Sequence, residues 1–462
     1  GRDVDNEENK REAAITSFTE IKGGPAALSA TQAAADIASG ALTAQAYARA
    51  CLERVEAIDG DIKAFIHLDP AHVLAQARAL DALRESGARL GPLHGLPVGI
   101  KDVIDTADYP TENGAALHAG RRPAHDAAVV AKLRAAGAII FGKTVTTEVA
   151  FRHPGATRNP HDLTHTPGGS SSGSAAAVAA HMLPLAIGTQ TSGSVIRPAS
   201  FCGVVGVKPT HGLIPRTGVM MHSAKLDHIG VFARSLPDAA LLLDVLAGYD
   251  AGDPDTRPVA SPSYAAALEA PPRAIPRLAF VRTPMWIKAD AEARAALEGF
   301  VGKLGDRAAA VDLPDWFAPA WDAQRTVMAA DMAHVHGAIV DANPEKASEP
   351  LRAMVAEGRT IPAVQYFAAM DLARRMTAAL TDMLAGYDAI ITPASTGIAP
   401  KGLESTGDAV FNALWTFTGL PAVTLPLLKG SGGLPIGVQL LAAPGADARL
   451  LRTAASLQAA VG

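Results

Sequence analysis

Hydroxyls set among glycines mark the part of this chain whose residue types can do chemistry. Residues 167–203 hold two such knots. The first reads Gly168-Gly169-Ser170-Ser171-Ser172-Gly173-Ser174, and the second Thr189-Gln190-Thr191-Ser192-Gly193-Ser194, followed by Arg197-Pro198. This pattern suits a backbone that approaches a reacting group closely and donates N–H bonds to it. A flexible linker is the competing reading, but linkers lack core-like segments such as residues 175–180 and 183–187, which separate the knots. Upstream, Gly95-Leu96-Pro97-Val98-Gly99-Ile100-Lys101-Asp102 delivers a single lysine at the end of an apolar run. Lysine is ordinarily a solvated surface residue. One that emerges from an apolar strand flanked by glycines is a candidate for desolvation, which lowers its pKa and frees a neutral amine as a base.

Other patterns compete for the same residues. Gly169-Ser170-Ser171-Ser172-Gly173 also fits a G-x-S-x-G elbow with Ser171 as nucleophile. That motif needs a buried strand directly before it, whereas His161-Asp162-Leu163-Thr164-His165-Thr166-Pro167 is polar and ends in proline. Ser171, Ser172 and Ser174 read more simply as hydroxyls capping a helix N-terminus. No Ser-x-x-Lys, C-x-x-C or H-E-x-x-H occurs, so neither a β-lactamase-like site nor a metal site is expected. His334 and His336, two positions apart, would point to different sides of a helix.

Taken together, the islands resemble the amidase signature family. The resemblance is carried by GLPVGIKD at 95–102, GAIIFGKTVTTEVAF at 137–151, NPHDLTHTPGGSSSGSAAAVAA at 159–180 and GTQTSGSVIRPASFCGVVGVKPT at 188–210. It continues through LDHIGVFARS at 226–235, DAIITPAS at 388–395, FNALWTFTGLPAVTLP and GLPIGVQL. The family uses a Ser–cis-Ser–Lys triad. The resemblance therefore implies Ser194 as nucleophile, Ser170 as the bridging serine after a cis Gly169–Ser170 peptide, and Lys101 as base. The 24-residue spacing of Ser170 and Ser194 is the family's own. Backbone N–H groups of Thr191, Ser192, Gly193 and Ser194 would hold the oxyanion. The family usually has Gly-Gly-Ser in the second knot, and Ser192 departs from it. We expect Ser192 to keep a negative φ and to turn its hydroxyl to the acyl pocket or a neighbour.

The chemistry asks for these residue types. A serine hydroxyl is a poor nucleophile until a base takes its proton, and Ser-Lys arrangements do this without histidine. A bridging hydroxyl can accept from one partner while donating to the other. The resulting expectation is a cofactor-free serine hydrolase of linear amide-type bonds: amide, anilide or carbamate. The alternative is an amidotransferase-type subunit that passes ammonia to a partner protein. Gly169, Arg197 and Trp415 are the expected substrate contacts. For Arg197 a bidentate clamp on a substrate carboxylate and a structural contact both remain open. Lys143, Lys208 and Glu148 read as buried polar groups holding the sheet edges.

Composition agrees with a large enzyme core: 48% of the 462 residues are hydrophobic. The net charge of −5 gives no basic footprint for nucleic acid. Only Cys51 and Cys202 are present, which suits a reducing, cytoplasmic compartment. No apolar run is long enough to span a membrane. The expected partner is a small-molecule amide or carbamate, and a homodimer is compatible with this reading. Residues 1–25 are polar, without a secretory apolar stretch, and are expected to form a tail, in part vector-derived. Residues 26–462 are expected to form one large amidase domain with a mainly helical, substrate-facing region over 285–386.

The elements that must position these residues follow from periodicity and caps. Residues 29–38 and 43–58 read as amphipathic helices with Ser29 and Thr43 as caps. Residues 96–100, 138–141, 185–187, 204–207, 388–392 and 422–425 read as short buried strands. Helices are expected at 175–181, 239–247, 291–304 and through much of 320–386, with a Pro/Asp/Gly-rich surface connection at 250–275. Alternating helices and apolar strands indicate α/β, and the resemblance adds a mixed central sheet surrounded by helices. Trp316, Phe317, Trp321, Tyr366 and Phe367 could line an acyl pocket or simply pack helices.

Overall fold

The computed structural model of the chain describes residues 17–269 and 276–462. Most of the expected N-terminal tail, and residues 270–275 of the expected 250–275 connection, lie outside the described residues; that connection carries a short helix, Tyr264–Glu269.

Eleven strands form one mixed sheet. In chain order they are β1 (Phe65–Leu68), β2 (Pro97–Lys101), β3 (Ile139–Thr144), β4 (Leu185–Gln190), β5 (Val205–Lys208), β6 (His228–Ala233), β7 (Leu278–Phe280), β8 (Ala308–Ala310), β9 (Ala389–Pro393), β10 (Ala422–Lys429) and β11 (Pro435–Leu441). Their spatial order is β1-β3-β2-β4-β6-β5-β10-β11-β9-β7-β8. β2 runs parallel to both β3 and β4, whereas β4, β6, β5, β10, β11 and β9 pair antiparallel in succession. The expected α/β fold with a mixed central sheet is what the chain adopts.

Both faces of the sheet are covered, and strand alternation shows how. Ile391, Val423 and Leu440 join one hydrophobic cluster, while their chain neighbours Ile390, Ala422 and Leu441 join another. Successive side chains of a strand point to opposite faces, so a strand buried on both sides carries apolar residues on both. The second cluster is completed by three long helices, Ala320–Ala342, Glu349–Arg359 and Ala363–Leu384, which occupy the region expected to be helical.

Local signals place the first helices as read. Ser29 Oγ accepts from Gln32 N at 3.1 Å at the start of Ala30–Ser39, and Thr43 Oγ1 accepts from Ala46 N at 3.0 Å at the start of Ala44–Ile62. β1, β6, β7, β8, β11 and the helices Pro70–Glu85, Ala128–Ala135, Ile196–Cys202, Ala413–Thr418 and Asp447–Val461 are additional to the elements read from the sequence.

Two pairings and two short helices build the site. β2 and β4 lie side by side, with Val98 opposite Leu185 and Ile100 opposite Ile187, so their C-terminal ends finish together. The first Gly/Ser knot runs into the helix Ser172–Ala179, and the second into Ile196–Cys202. Close packing requires glycine around the second knot. A Cβ on Gly188, just before it, would collide with Ser171 Oγ, and one on Gly193 would come 2.5 Å from Asn412 Oδ1.

Candidate active site

Lys101 ends β2 with its side chain fully buried. Its Nζ lies 2.6 Å from Ser170 Oγ, and it reaches Thr189 Oγ1 at 2.7 Å and Thr189 O at 3.4 Å. No carboxylate forms an ion pair with it among the described residues. Burial holds its pKa well below the usual lysine range; Asp227 pulls it up, and Arg197 pushes it further down. Ser170 is 1% exposed, and the Gly169–Ser170 peptide is cis.

Ser194 lines a cavity of about 840 Å³ together with Thr191, Ser192 and Gly193. Its Oγ makes no hydrogen bond among the described residues, and Ser170 Oγ does not reach it in this conformation. Catalytic hydrogen bonds are commonly loose before substrate binds. The backbone N–H groups of Thr191, Ser192, Gly193 and Ser194 also find no acceptor among the described residues. The next two, Val195 and Ile196, are both taken by Gln190 Oε1, at 2.9 and 3.0 Å. Unpaired backbone donors beside a free serine hydroxyl are the kind of group that can hold a developing negative oxygen.

The amidase family profile matches residues 46–451. The chain belongs to the amidase family. A glutamyl-tRNA(Gln) amidotransferase subunit of Chloroflexus aggregans (strain MD-66 / DSM 9485) is 34% identical over 461 residues, covering 91% of this chain and 94% of that protein. The protein of that name from Chloroflexus aurantiacus (strain ATCC 29366 / DSM 635 / J-10-fl) is 45% identical over 247 residues. In that match the chain spans about half the length of the curated relative, 51%. Among solved structures, a chain from a vestigial protein complex that bears on the origins of an s-triazine catabolic enzyme is 30% identical with a TM-score of 0.87. That alignment covers 94% of this chain and 98% of the other. The peptide amidase of Stenotrophomonas maltophilia is 30% identical with a TM-score of 0.82, covering 94% and 97%.

Within this member of the family the residues expected to touch substrate divide. Arg197 lines the cavity, but its Nη2 donates to Gly169 O at 2.8 Å and to Thr406 Oγ1 at 3.3 Å. It has no carboxylate partner among the described residues, and burial brings its pKa down to about 10. Its visible role is to hold the peptide that precedes Ser170. Gly169 itself is packed, since a Cβ there would come 2.7 Å from Thr406 Cγ2. Trp415 corrects an expectation. It is 1% exposed within the helix Ala413–Thr418, belongs to the second hydrophobic cluster and does not line the cavity. Its indole is packing, as its place on a buried six-residue helix requires.

Ser171 is bound up in structure: its Oγ donates to Thr189 O and accepts from Thr189 N, both at 3.2 Å. Lys143 meets Asp102 at 3.1 Å, Lys208 donates to Leu420 O at 2.7 Å, and Glu148 accepts from Ser348 N at 2.9 Å. All three bind other elements and stand apart from the cavity lining. Of the aromatic residues in the helical region, Trp321 lines the cavity, Phe317 packs in the core, and Phe367 is 66% exposed. His336 is buried and His334 exposed, on different sides of their helix.

Several site residues escaped sequence reasoning. Thr189 opens the second knot and binds Lys101. Asp227, within the LDHIG island, accepts from Thr191 Oγ1 at 2.7 Å and from His222 N at 2.6 Å. His222 lines the cavity, its Nδ1 2.9 Å from His336 Nε2. Burial lowers the His222 pKa to about 4 and the His336 pKa to about 3. Gln324 and Met328, from the helix Ala320–Ala342, complete the wall above Ser192. The island carrying Asp227 could have been searched for buried polar groups, whereas His222 lies outside every island. Gln324 had no local signal.

Proposed function

We propose that the chain is a serine hydrolase of linear amide-type C–N bonds, working through an acyl-enzyme on Ser194 with a Ser170–Lys101 proton relay. The observation that carries this reading is the buried Lys101 Nζ with its three partners, Ser170 Oγ, Thr189 Oγ1 and Thr189 O. A neutral amine has two N–H donors and one lone pair. Two donors suit the two Thr189 oxygens, and the lone pair suits the Ser170 proton. As Ser194 Oγ attacks the carbonyl carbon, its proton passes to Ser170 Oγ, and the Ser170 proton passes to Lys101. The carbonyl oxygen becomes an oxyanion facing the N–H groups of Thr191–Ser194. Each such donor contributes about 2.7–4 kcal/mol in comparable enzymes. Collapse of the intermediate breaks the C–N bond, and the relay returns its proton to the leaving nitrogen. Water then attacks the ester through the same relay, releasing the acid and restoring Ser194. No cofactor or metal enters this scheme.

A second reading is an amidotransferase-type subunit that passes ammonia to a partner. The full-length similarity to glutamyl-tRNA(Gln) amidotransferase subunits favours it. The two separate on one experiment. The single purified chain is given acyl anilides, primary amides and aryl carbamates, and amine or ammonia release is measured. Release that depends on Ser194 without any partner is expected. Release that begins only when partner proteins are supplied would replace the first reading by the second.

A further inference from the structure

Gln324 stands where a substrate would lie, and its orientation is decided by chemistry. Its Nε2 is 2.8 Å from Ser192 Oγ and 3.3 Å from Thr191 O. A backbone carbonyl can only accept, so the atom beside Thr191 O must be the NH2 group. The amide oxygen Oε1 therefore faces the other way. Gln324 lines the cavity, and Oε1 accepts no hydrogen bond among the described residues. The Ser192 hydroxyl completes the clamp: it accepts from Gln324 and donates to Met328 Sδ at 3.6 Å. Ser192 is outside the left-handed region, so its side chain sits there without backbone strain.

We propose that Gln324 Oε1 is a specificity-determining acceptor for an N–H group on the acyl part of the substrate, close to the scissile carbonyl. This rests on the hydrolase reading above. In that reading the leaving nitrogen must face Ser170 to receive its proton. The acyl part then extends over Ser192, where Gln324, Met328 and Trp321 form the wall. An acceptor pinned by two hydrogen bonds is preorganised, and it goes unpaired when the substrate lacks a donor. Acylamino-substituted acyl groups satisfy it, whereas plain alkanoyl and aroyl groups do not. The residue that departs from the usual glycine is thus the one that fixes this acceptor.

The test uses the p-nitrophenyl esters of N-acetylglycine and of acetoxyacetic acid, which differ only in NH against O. Each kcat/KM is divided by that ester's rate with hydroxide, and the two corrected values give a preference ratio. The wild-type chain is expected to favour the NH ester at least roughly tenfold. Gln324→Met should bring the ratio close to one, and Ser192→Ala, which unpins the amide, should reduce it. The ratio is insensitive to a uniform loss of rate, and Ser192→Ala serves if Gln324→Met fails to fold. A wild-type ratio near one, with Ser194-dependent turnover of both esters, would overturn this inference and leave the hydrolase reading standing. A preference that survives both substitutions would overturn it equally. No Ser194-dependent turnover of either ester would overturn the hydrolase reading and this inference with it.

Discussion

Lys101 Nζ stands 2.6 Å from Ser170 Oγ, and neither residue exposes more than 1% of its surface. An ammonium there would lack the carboxylate that a buried charge requires. The pair is therefore arranged for a neutral amine, and four expectations follow from its surroundings.

Lys101 should govern both rate and stability as pH changes. Its folded pKa is depressed by burial, so kcat/KM should rise with pH through that depressed value. The sign for stability follows from proton counts. Between the folded pKa and the unfolded value of about 10.4, the unfolded chain holds the extra proton. Stability from this group thus increases with pH across that window and is withheld below it. Lys101→Met should lower acylation by roughly 10²- to 10⁴-fold while weakening this rise. Paired pH–rate and denaturation curves measure both, and near-wild-type turnover in the mutant would rule out the proposed base.

Ser194→Ala should abolish turnover and fluorophosphonate labelling while leaving the fold intact. Ser171→Ala should keep labelling but lower stability by about 1–3 kcal/mol, because it removes the acceptor of the Thr189 N–H. Mass spectrometry of the labelled peptide decides which serine reacts.

Arg197→Met should reduce kcat for substrates with and without a carboxylate alike. The Nη2 bond to Gly169 O supports the peptide on which Ser170 sits, and a charged hydrogen bond of this kind contributes about 1.5–3 kcal/mol. A loss confined to KM for carboxylate-bearing substrates would instead assign Arg197 to substrate binding.

Asp227→Asn should move the rising limb of the pH–rate profile to lower pH. The Asp227 charge favours protonated Lys101, so removing it lowers the lysine pKa further. The asparagine can accept from Thr191 Oγ1 but turns its NH2 toward the His222 N–H, so the position of the limb rather than the absolute rate is the readout. A limb that stays in place would show that the Asp227 charge does not reach Lys101.

Much of the site was legible because its signals are local. Glycines and hydroxyls at 168–174 and 189–194 announce close backbone approach, and the apolar run into Lys101 announces desolvation. Strands flanked by glycine and proline were harder to read. Pro435–Leu441 carries Pro435 and Gly437, which look like loop punctuation, yet it is a buried strand paired on both sides. Trp415 was misread for the converse reason: a large aromatic beside a motif is conspicuous in sequence, but burial decides whether it faces substrate or core.

The sequence by itself determined the α/β class and the helix caps at Ser29 and Thr43, and its family resemblance singled out Lys101, Ser170 and Ser194. Periodicity, capping and glycine placement act over a few residues and need no knowledge of the rest of the chain. Tertiary structure alone decided which distant groups meet. The crossovers that put β2 beside β4 bring Lys101 to Thr189, 88 positions away. The packing of the helix Ala320–Ala342 over the second knot brings Gln324 to Ser192, 132 positions away. No local pattern encodes such a contact, because strand order and helix docking depend on the burial of the whole core.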